Sequence, residues 1–495
     1  MSQINWKERA EHMNFNGQAF INGQRVDALS GATFECISPC DGRKLADVAR
    51  CDKADVDVAV SVARAAFEDG RWAHLSPRKR KEILIRFADL IVQSKSELAL
   101  TETLDMGKPI SNALAVDVMG AQNTIRWFGE AIDKIYDEVA PTPRDSLALI
   151  TREPVGVVAA VVPWNYPLLM TSWKIAPALA AGNSVILKPS EKSPLTALRL
   201  AELALEAGIP AGVFNVVTGF GHEAGAALAE HMDVDCVAFT GSTAVGKRIM
   251  AAAANSNLKR AWMELGGKSP NIVFADCPDM DAAAAAAAGN VFYNQGESCN
   301  APTRLYVEAS IKDAFMKKVA TYVASFQPGD PLDPATSMGA IVDDIQLNNV
   351  LKYIESGKTE GAELIAGGQQ CRQESGGYFI EPTIFVTNKD HTIAREEIFG
   401  PVLSAMTFET EAEAIALAND SIYGLQAGVW TADISRAHRV ARALKAGTVH
   451  INQYNDDDIT VPFGGYKQSG NGRDKSLHSM DKYCELKTTW IKIDY

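Results

Sequence analysis

Short, continuously apolar runs alternate with segments of helical apolar spacing through the middle of the chain. The strands are expected at residues 155–162, 184–188, 214–217 and 236–240, and the helices at residues 168–179, 195–206, 224–230 and 244–254. Uninterrupted apolar runs are typical of strands covered on both faces, and this alternation predicts βαβ units with a parallel sheet. Parallel sheets bind ligands at the carboxyl ends of their strands, so functional residues are expected directly after these runs.

Weaker patterns of the same kind flank this region. They predict a hairpin at residues 20–26, helices at residues 55–68, 79–103 and 114–135, further strands at residues 271–274, 304–307, 427–430 and 448–451, and a C-terminal strand at residues 485–491. Asn22-Gly23 supplies the hairpin turn. The C-terminal strand stands apart from the rest and is expected to pair with residues 147–151 or with another chain.

Length and charge narrow the class of protein. At 495 residues the chain is too long for one hydrophobic core, so two or three domains are expected. The formal net charge of −13 argues against nucleic acid and anionic membranes as partners. The eight cysteines form no C-x-x-C pair and show no zinc spacing, which predicts no metal site and favours a reducing, cytoplasmic compartment. Residues 1–17 are polar and contain no apolar signal core.

One stretch is long enough to cross a bilayer. Residues 154–173 carry no charged side chain, and about 20 apolar residues suffice to span the hydrocarbon core. However, Pro163 and Pro167 interrupt the apolar part, with Asn165 between them. We therefore interpret the stretch as a buried strand followed by a functional loop.

A single cysteine ends the short polar segment at residues 292–299. The alanine run at residues 282–288 predicts a helix before it, and residues 303–307 predict a strand after it. Loops held between rigid elements often carry chemistry, which makes Cys299 a candidate. Taken alone, Cys299 could equally be a small buried hydrophobic residue, as most free cysteines are.

Two glycine-rich turns follow consecutive strands. Residues 241–247 nearly match the P-loop pattern, but Arg248 stands where a Ser or Thr would hold Mg²⁺, which disfavours a kinase or an ATPase. Residues 219–225 resemble the G-x-G-x-x-G fingerprint with one residue too many. Helix N-termini offer free N–H groups to phosphate, so the two turns together predict a dinucleotide site. Either turn alone is as often an ordinary loop.

Polar residues also follow the other strands. Glu264 ends an apolar strand, and an apolar setting would raise its pKa toward that of a general base. Asn165 could donate its amide hydrogens to an oxyanion, and Lys188 and Glu191 could reach ribose hydroxyls. Each also has an ordinary alternative as a surface carboxylate or a turn residue.

Together these stretches resemble the NAD(P)-dependent aldehyde dehydrogenase superfamily. The motifs occur in the family's order: Pro163-Trp164-Asn165-Tyr166-Pro167, Lys188-Pro189-Ser190-Glu191, Phe239-Thr240-Gly241-Ser242-Thr243, Glu264-Leu265-Gly266-Gly267-Lys268, the Cys299 loop, Glu397-Ile398-Phe399-Gly400-Pro401 and Pro462-Phe463-Gly464-Gly465-Tyr466-Lys467. The resemblance runs from residue 20 nearly to the C-terminus. Motifs in a fixed order are far more specific than any one of them.

The resemblance implies an α/β fold of the aldehyde dehydrogenase type, with two Rossmann-type parallel-sheet domains and a small β oligomerisation arm. The NAD-binding domain would comprise residues 1–132 and 155–266, and the catalytic domain residues 267–481. Residues 133–154 and 482–495 would form the oligomerisation domain of a homo-tetramer, a dimer of dimers, or of a homo-dimer.

The resemblance also implies NAD-dependent oxidation of an aldehyde to its carboxylic acid. Cys299 would attack the aldehyde, and Asn165 with the Cys299 N–H would hold the oxyanion. Hydride would pass to the nicotinamide, and water activated by Glu264 would hydrolyse the resulting thioester. The implied cofactor contacts are Trp164, Lys188, Glu191, Gly221, Gly225, Gly241, Ser242, Val245, Gly246, Leu265, Glu397 and Phe399. A carboxylate at Glu191 favours the free 2′-OH of NAD over the 2′-phosphate of NADP.

The substrate is expected to be an ω-amino, γ-glutamylamino or guanidino aldehyde. Residues 469–478 and 488–491 are similar to bacterial dehydrogenases of polyamine and arginine breakdown, which act on γ-glutamyl-γ-aminobutyraldehyde or guanidinobutyraldehyde. The implied tunnel residues are Tyr166, Trp173, Asp457 and Phe463. The acidic run at residues 456–458 could attract a cationic tail, or it could simply face water, as charge runs usually do.

Three alternatives remain open. A broad-specificity aliphatic aldehyde dehydrogenase would share these motifs. A CoA-acylating relative is disfavoured by Glu264, because a water-activating base would destroy the thioester. A non-catalytic binding protein on the same fold is disfavoured by the intact Cys299 and Asn165. The sequence departs from the family at Glu297, where many members have Gln, and at Asn300-Ala301-Pro302, and these departures bear on substrate fit more than on mechanism.

Overall fold

The N-terminal quarter of the chain is largely helical. The computed structural model describes residues 4–454 and 456–494; the ends of the predicted domains, residues 1–3 and residue 495, lie outside these ranges. The first helices and strands are α1 (Trp6–His12), α2 (Lys53–Glu68), α3 (Pro77–Gln93), α4 (Lys95–Met106), α5 (Ile110–Asn112), α6 (Val118–Ala131), β1 (Ala19–Ile21), β2 (Gln24–Val26), β3 (Thr33–Ile37), β4 (Lys44–Ala49) and β5 (Glu138–Ala140). The predicted hairpin is confirmed as β1–β2, and its two turn residues, Asn22 and Gly23, have positive φ as a two-residue hairpin turn requires.

One helix prediction is wrong in this part. The single helix expected at residues 79–103 is two helices, α3 and α4, with Ser94 between them in a non-helical conformation. Serine competes for backbone hydrogen bonds and favours helix ends. Apolar spacing alone does not detect such a break, because both helices bury one face in the same core.

The alternation expected in the middle of the chain is confirmed. Its elements are β6 (Ser146–Pro154), β7 (Val157–Val161), β8 (Ser184–Lys188), β9 (Phe214–Val216), β10 (Cys236–Thr240), β11 (Arg260–Glu264), α7 (Pro167–Ala181), α8 (Leu195–Ala207), α9 (Ala226–Glu230) and α10 (Thr243–Asn255). The uncharged stretch at residues 154–173 is β7, a turn and the start of α7. Among the described residues, no helix has the length and apolar character to cross a membrane.

The first large sheet has its switch point beside the loop that contains Asn165. Strands β9, β8, β7, β10 and β11 are parallel in that order, and β1 and β2 extend the sheet antiparallel at the β9 edge. The chain leaves β7 toward one side and β10 toward the other, so the loops that follow these two strands diverge. Open α/β sheets bind their ligands in the crevice between such loops.

A second α/β region follows. The helices and strands from there to the C-terminus are β12 (Pro270–Val273), β13 (Arg304–Glu308), β14 (Glu363–Ala366), β15 (Gln370–Cys371), β16 (Phe379–Ile380), β17 (Thr383–Val386), β18 (Val402–Phe408), β19 (Gln426–Trp430), β20 (Thr448–Ile451), β21 (Gly470–Asn471), β22 (Cys484–Lys492), α11 (Met280–Phe292), α12 (Lys312–Val323), α13 (Asp344–Thr359), α14 (Thr392–Arg395), α15 (Glu411–Asn419) and α16 (Ile434–Ala443). The sheet order is β14-β17-β18-β13-β12-β19-β20. The four predicted strands are present, and the sequence analysis missed β17 and β18, although β18 is a buried apolar run.

The C-terminal strand forms a separate three-stranded sheet in the order β22-β6-β5. The prediction that it pairs with residues 147–151 is confirmed, and the antiparallel pairing extends from Cys484 opposite Pro154 to Lys492 opposite Ser146. Strand β21, just before it in the chain, joins the first sheet with Gly470 opposite Glu264. The C-terminal part of the chain therefore packs beside the end of β11.

Candidate active site

Cys299 lies where the sequence predicted, between a helix and a strand. Helix α11 ends at Phe292 and β13 begins at Arg304. The turn between them contains Asn294 and Gln295, both in the left-handed region with φ of 49° and 59°. Non-glycine residues adopt this conformation at a cost and cluster at functional sites.

Buried side chains hold this strained turn in place. Gln295 Oε1 accepts a hydrogen bond of 3.0 Å from the Gly339 N–H, and Glu297 Oε1 accepts one of 3.1 Å from the Val342 N–H. Burial raises the pKa of Glu297 well above its ordinary value. Burial thus favours the neutral carboxylic acid at Glu297, which has the shape of the Gln that many members of the resembled family carry there.

Asn165 reaches the same turn from the loop after β7. Its side-chain nitrogen donates a hydrogen bond of 2.8 Å to the backbone carbonyl of Glu297, and the Asn294 amide donates to the Asn165 carbonyl at 3.2 Å. Asn165 and Cys299 both line one cavity. The amide of Asn165 is thus fixed beside the loop that contains Cys299, as an oxyanion donor there would require.

The cavity has a volume of about 630 Å³ and brings most of the predicted site residues together. The predicted residues in its wall are Trp164, Asn165, Tyr166, Trp173, Gly241, Ser242, Glu264, Cys299, Glu397, Phe399, Asp457 and Phe463. Sequence reasoning missed Thr240, Tyr293, Gln346 and Asn349, among others. Gln346 and Asn349 are one helical turn apart on α13, a spacing that places two amides on one face.

Glu264 ends β11 at the cavity wall with its carboxyl buried. Neither carboxyl oxygen has a hydrogen-bond partner among the described residues. Burial raises the pKa of Glu264 to about 8, and the nearby Lys174 opposes the shift. The carboxyl can therefore release or accept a proton near neutral pH, which suits a general base.

The Cys299 thiol shares this environment. Burial raises the pKa of Cys299 well above its ordinary value, and the Glu264 and Glu397 carboxyls add to the shift. Burial in the ligand-free site therefore favours the thiol over the thiolate. The thiolate is the more nucleophilic form of a cysteine, so a reaction at Cys299 has to begin with loss of the thiol proton.

Glu397 lines the cavity beside two glycines, Gly266 and Gly267. Its Oε1 accepts a hydrogen bond of 2.9 Å from the Gly267 N–H. A Cβ on Gly266 would lie 2.0 Å from Glu397 Oε2, and one on Gly267 would lie 2.2 Å from the Cys299 carbonyl oxygen. The two glycines therefore let Glu397 and the loop that contains Cys299 pack against the end of β11. Burial raises the pKa of Glu397 to about 7.

The N-terminus of α10 forms the other end of the cavity, where Gly241 and Ser242 line the wall. Ser242 Oγ caps the helix by accepting from the Val245 N–H at 3.3 Å. Gly246 packs closely against Leu265, because a Cβ there would lie 2.6 Å from Leu265 Cδ2 and the leucine side chain would have to shift. This helix start offers N–H groups to an anion.

The remaining predicted cofactor residues lie at strand ends or in the loops and helix starts that follow the strands, outside this cavity wall. They are Lys188, Glu191, Gly221, Gly225, Val245, Gly246 and Leu265. Lys188 is buried at the end of β8, its Nζ 3.1 Å from Glu191 Oε2. Lys188 Cδ also lies 3.7 Å from the position of a Cβ on Gly225, so the Gly221–Gly225 turn passes close to it.

These residues fit a dinucleotide. The cavity runs without a break from the α10 N-terminus, past the buried Glu397 carboxyl, to Cys299. The Thr240 hydroxyl in its wall is buried and has no hydrogen-bond partner among the described residues. Within the same described residues, no group of three or more His, Cys, Asp or Glu side chains could hold a metal ion.

The opposite end of the cavity is aromatic. The Trp173 and Phe463 rings lie 5.1 Å apart, and the Tyr166 hydroxyl is 2.7 Å from Ser298 Oγ. Asp457 lines the wall as predicted, but its carboxylate forms an ion pair with Lys475, whose side chain is buried. Part of the negative charge of the acidic run is therefore offset within the protein.

Comparison with known proteins agrees with the family resemblance of the sequence motifs. Residues 26–489 match the model of the aldehyde dehydrogenase family. The NADP/NAD-dependent aldehyde dehydrogenase PuuC of Escherichia coli is 55% identical over 490 residues, which cover 99% of this chain and 98% of that protein. The γ-glutamyl-γ-aminobutyraldehyde dehydrogenase of Burkholderia cenocepacia (59% identity) and the P. syringae indole-3-acetaldehyde dehydrogenase in complex with NAD+ and IAA (61%) each superpose with a TM-score of 0.98 over 99% of both chains.

Proposed function

Because this chain belongs to the aldehyde dehydrogenase family, we propose that its NAD-dependent oxidation of an aldehyde to the acid takes place at Cys299, Glu264 and Asn165. One observation carries this assignment. A cysteine, a buried carboxyl without a hydrogen-bond partner among the described residues, and a fixed side-chain amide meet in one cavity, each at the end of a different element.

The first half of the reaction forms a covalent bond at Cys299. Cys299 reacts as its thiolate, whose proton passes to solvent water, and the sulfur attacks the aldehyde carbon. The Asn165 amide and the Cys299 N–H donate to the oxygen that becomes negatively charged. NAD supplies the hydride acceptor when bound.

The second half releases the acid. The oxidised acyl group is held on Cys299 as a thioester, and Glu264 removes a proton from the water that attacks it. The carbon–sulfur bond breaks and Cys299 recovers its proton. The aldehyde and water have then become a carboxylic acid, and two electrons have left with the hydride.

Residues at the other end of the cavity and beside it would hold the cofactor. Gly241 and Ser242 at the start of α10 would bind the pyrophosphate, and Glu397 the nicotinamide ribose. Lys188 and Glu191 would bind the adenosine ribose. The Glu191 carboxylate would accept from a free 2′-OH and repel a 2′-phosphate, which favours NAD over NADP.

The substrate class we propose is an ω-amino, γ-glutamylamino or guanidino aldehyde from polyamine or arginine breakdown. The B. cenocepacia structure, named as a γ-glutamyl-γ-aminobutyraldehyde dehydrogenase, supports this class at 59% identity. The exposed Asp456 and Asp458 beside the pocket residue Asp457 supply a negative potential for a cationic tail. Trp173 and Phe463 supply apolar contact for the carbon chain.

A second candidate is an aromatic aldehyde. Tyr166, Trp173, Tyr293 and Phe463 form much of the cavity wall, and flat rings stack well on such side chains. The P. syringae relative named as an indole-3-acetaldehyde dehydrogenase is 61% identical.

We further propose a cytoplasmic homo-tetramer or homo-dimer. The predicted oligomerisation domain, residues 133–154 and 482–495, contains the β22-β6-β5 sheet, and Leu486, Trp490 and Val139 on this sheet are each about two-thirds exposed. Exposed apolar side chains on a narrow sheet favour contact with another copy. Residues 1–132 with 155–266, and residues 267–481, would be the NAD-binding and catalytic domains of each copy.

The test is NADH formation by the purified protein with NAD and, in turn, γ-aminobutyraldehyde, indole-3-acetaldehyde and propionaldehyde. We expect turnover that Cys299→Ala abolishes, and kcat/KM at least about tenfold higher for γ-aminobutyraldehyde than for propionaldehyde, equivalent to about 1.4 kcal/mol. A higher value for indole-3-acetaldehyde would select the second candidate. Turnover that survives in Cys299→Ala would overturn the assigned chemistry.

A further inference from the structure

A buried ionic cluster lies directly behind the substrate end of the cavity. Lys108 Nζ is 2.5 Å from Asp117 Oδ1 and 3.8 Å from Glu102 Oε1, and all three side chains are fully buried. Charged groups in a protein core are costly even when paired. None of the three lines the cavity, so the proposed reaction does not use them directly.

The cluster supports a residue that does line the cavity. Lys108 Nζ lies 4.1 Å from the centroid of the Tyr166 ring, a close cation–π contact away from water. Glu102 Oε1 accepts a hydrogen bond of 3.4 Å from the Leu168 N–H, two residues after Tyr166. The ring and the chain that follows it are therefore held from the same side.

The backbone around Asp117 is adapted to this arrangement. Residues Ala113–Asp117 form a π-helical turn inside a longer helical segment. Within it, Val116 lines the cavity while Asp117 is fully buried and paired with Lys108. Single π-helical turns inside α-helices occur frequently at functional sites.

The Tyr166 hydroxyl connects the cluster to the loop that contains Cys299. It is 2.7 Å from Ser298 Oγ, and Ser298 directly precedes Cys299. Its neighbour Asn165 donates to the Glu297 carbonyl at 2.8 Å. Two adjacent residues of one loop thus hold two adjacent residues of the other, on the chain that leads into the Cys299 N–H.

We propose that Lys108, Tyr166 and Ser298 are positioning residues for Cys299, an inference that rests on the proposed role of Cys299 as the nucleophile. Lys108 fixes the Tyr166 ring, and the hydroxyl pair fixes the peptide before Cys299. The sulfur and the backbone N–H then point at the same carbonyl group. Such placement matters because a shift of about 1 Å lowers a rate by about 100-fold.

The hydroxyl pair is tested with Tyr166→Phe, Ser298→Ala and the double variant on propionaldehyde. We expect each single variant to lower kcat and the rate of Cys299 alkylation by iodoacetamide about tenfold, the double variant to fall no further, and KM to change less than about twofold. Ser298→Thr keeps a hydroxyl and should recover most of both rates. Tyr136→Phe, at a residue 77% exposed, is the matched control.

The ionic cluster is tested with Lys108→Met combined with Asp117→Asn and Glu102→Gln, so that no buried carboxylate is left without its cation. The same fall in alkylation rate is expected, and exposed Lys317→Met is the control. If this variant does not fold, Tyr166→Phe alone decides the proposal. Wild-type kcat and alkylation rates in Tyr166→Phe would overturn the positioning role while leaving Cys299 as the nucleophile, whereas activity in Cys299→Ala would overturn the proposed function itself.

Discussion

The two ends of the cavity differ in whether their carboxyl groups have partners. At the inner end, Glu264 is 3% exposed and neither of its carboxyl oxygens has a hydrogen-bond partner among the described residues. At the outer end, Asp457 is half exposed and its carboxylate is paired with Lys475. The inner end holds a polar group that folding alone would not favour, and the outer end holds a satisfied one.

This difference shows which end of the cavity indicates a chemical function. A buried polar group without a partner destabilises the fold, so its presence indicates chemistry. A paired carboxylate at the mouth has no such signature, since ion pairs of this kind are common on protein surfaces. The proposed reaction therefore rests on the inner end, while two relatives of similar identity carry the names of different aldehydes.

The largest effect on turnover is expected for Glu264→Gln, which removes the carboxyl group at the inner end. The amide cannot take a proton from water, so steady-state turnover should fall about 10²- to 10⁴-fold. Because the Gln side chain has nearly the same shape, cofactor binding should be unchanged. Stopped-flow absorbance measures turnover, and exposed Glu206→Gln is the control. Turnover within about threefold of wild type would remove Glu264 from the mechanism.

The pH dependence of turnover also tests the Glu264 carboxyl at the inner end. The base is active when deprotonated, and the pKa of Glu264 is raised to about 8 by burial. The rate of thioester hydrolysis should therefore rise about tenfold per pH unit below pH 8 and level off above it. A profile that is flat between pH 6 and pH 8 with wild-type protein would contradict this role.

Changes at the mouth should have the smallest effect. Asp456→Asn with Asp458→Asn removes two charges and leaves the Asp457–Lys475 pair intact. We expect KM for γ-aminobutyraldehyde to rise about three- to tenfold at low salt, with KM for propionaldehyde unchanged. Equal changes for both aldehydes would show that the acidic run only faces water.

The candidate residues at the inner end could be found from the sequence because they follow strands. Asn165 and Glu264 come directly after β7 and at the end of β11, and parallel strands bring such positions to one edge of a sheet. Ordered motifs then supplied Cys299 and Glu397. The two-sheet α/β fold followed from the same alternation of apolar runs and helices.

Other features could not be read from the sequence, because they depend on contacts between distant segments. Lys475 and the Lys108 cluster are buried charges whose partners are found only in three dimensions. Gln346 and Asn349 belong to a helix without a motif. The β18 run is apolar and the right length for a strand, and the predicted strand at residues 304–307 is its partner β13, so this strand was missed although its pattern was present.

The most direct test is to look for the acyl group on Cys299. Glu264→Gln is mixed with NAD and γ-aminobutyraldehyde, quenched in acid after one turnover, and digested for mass spectrometry. The account predicts about one NADH per site in a burst and the mass of the acyl group on the peptide that contains Cys299. A burst of NADH without any adduct on Cys299 would contradict the central claim that this cysteine carries the substrate.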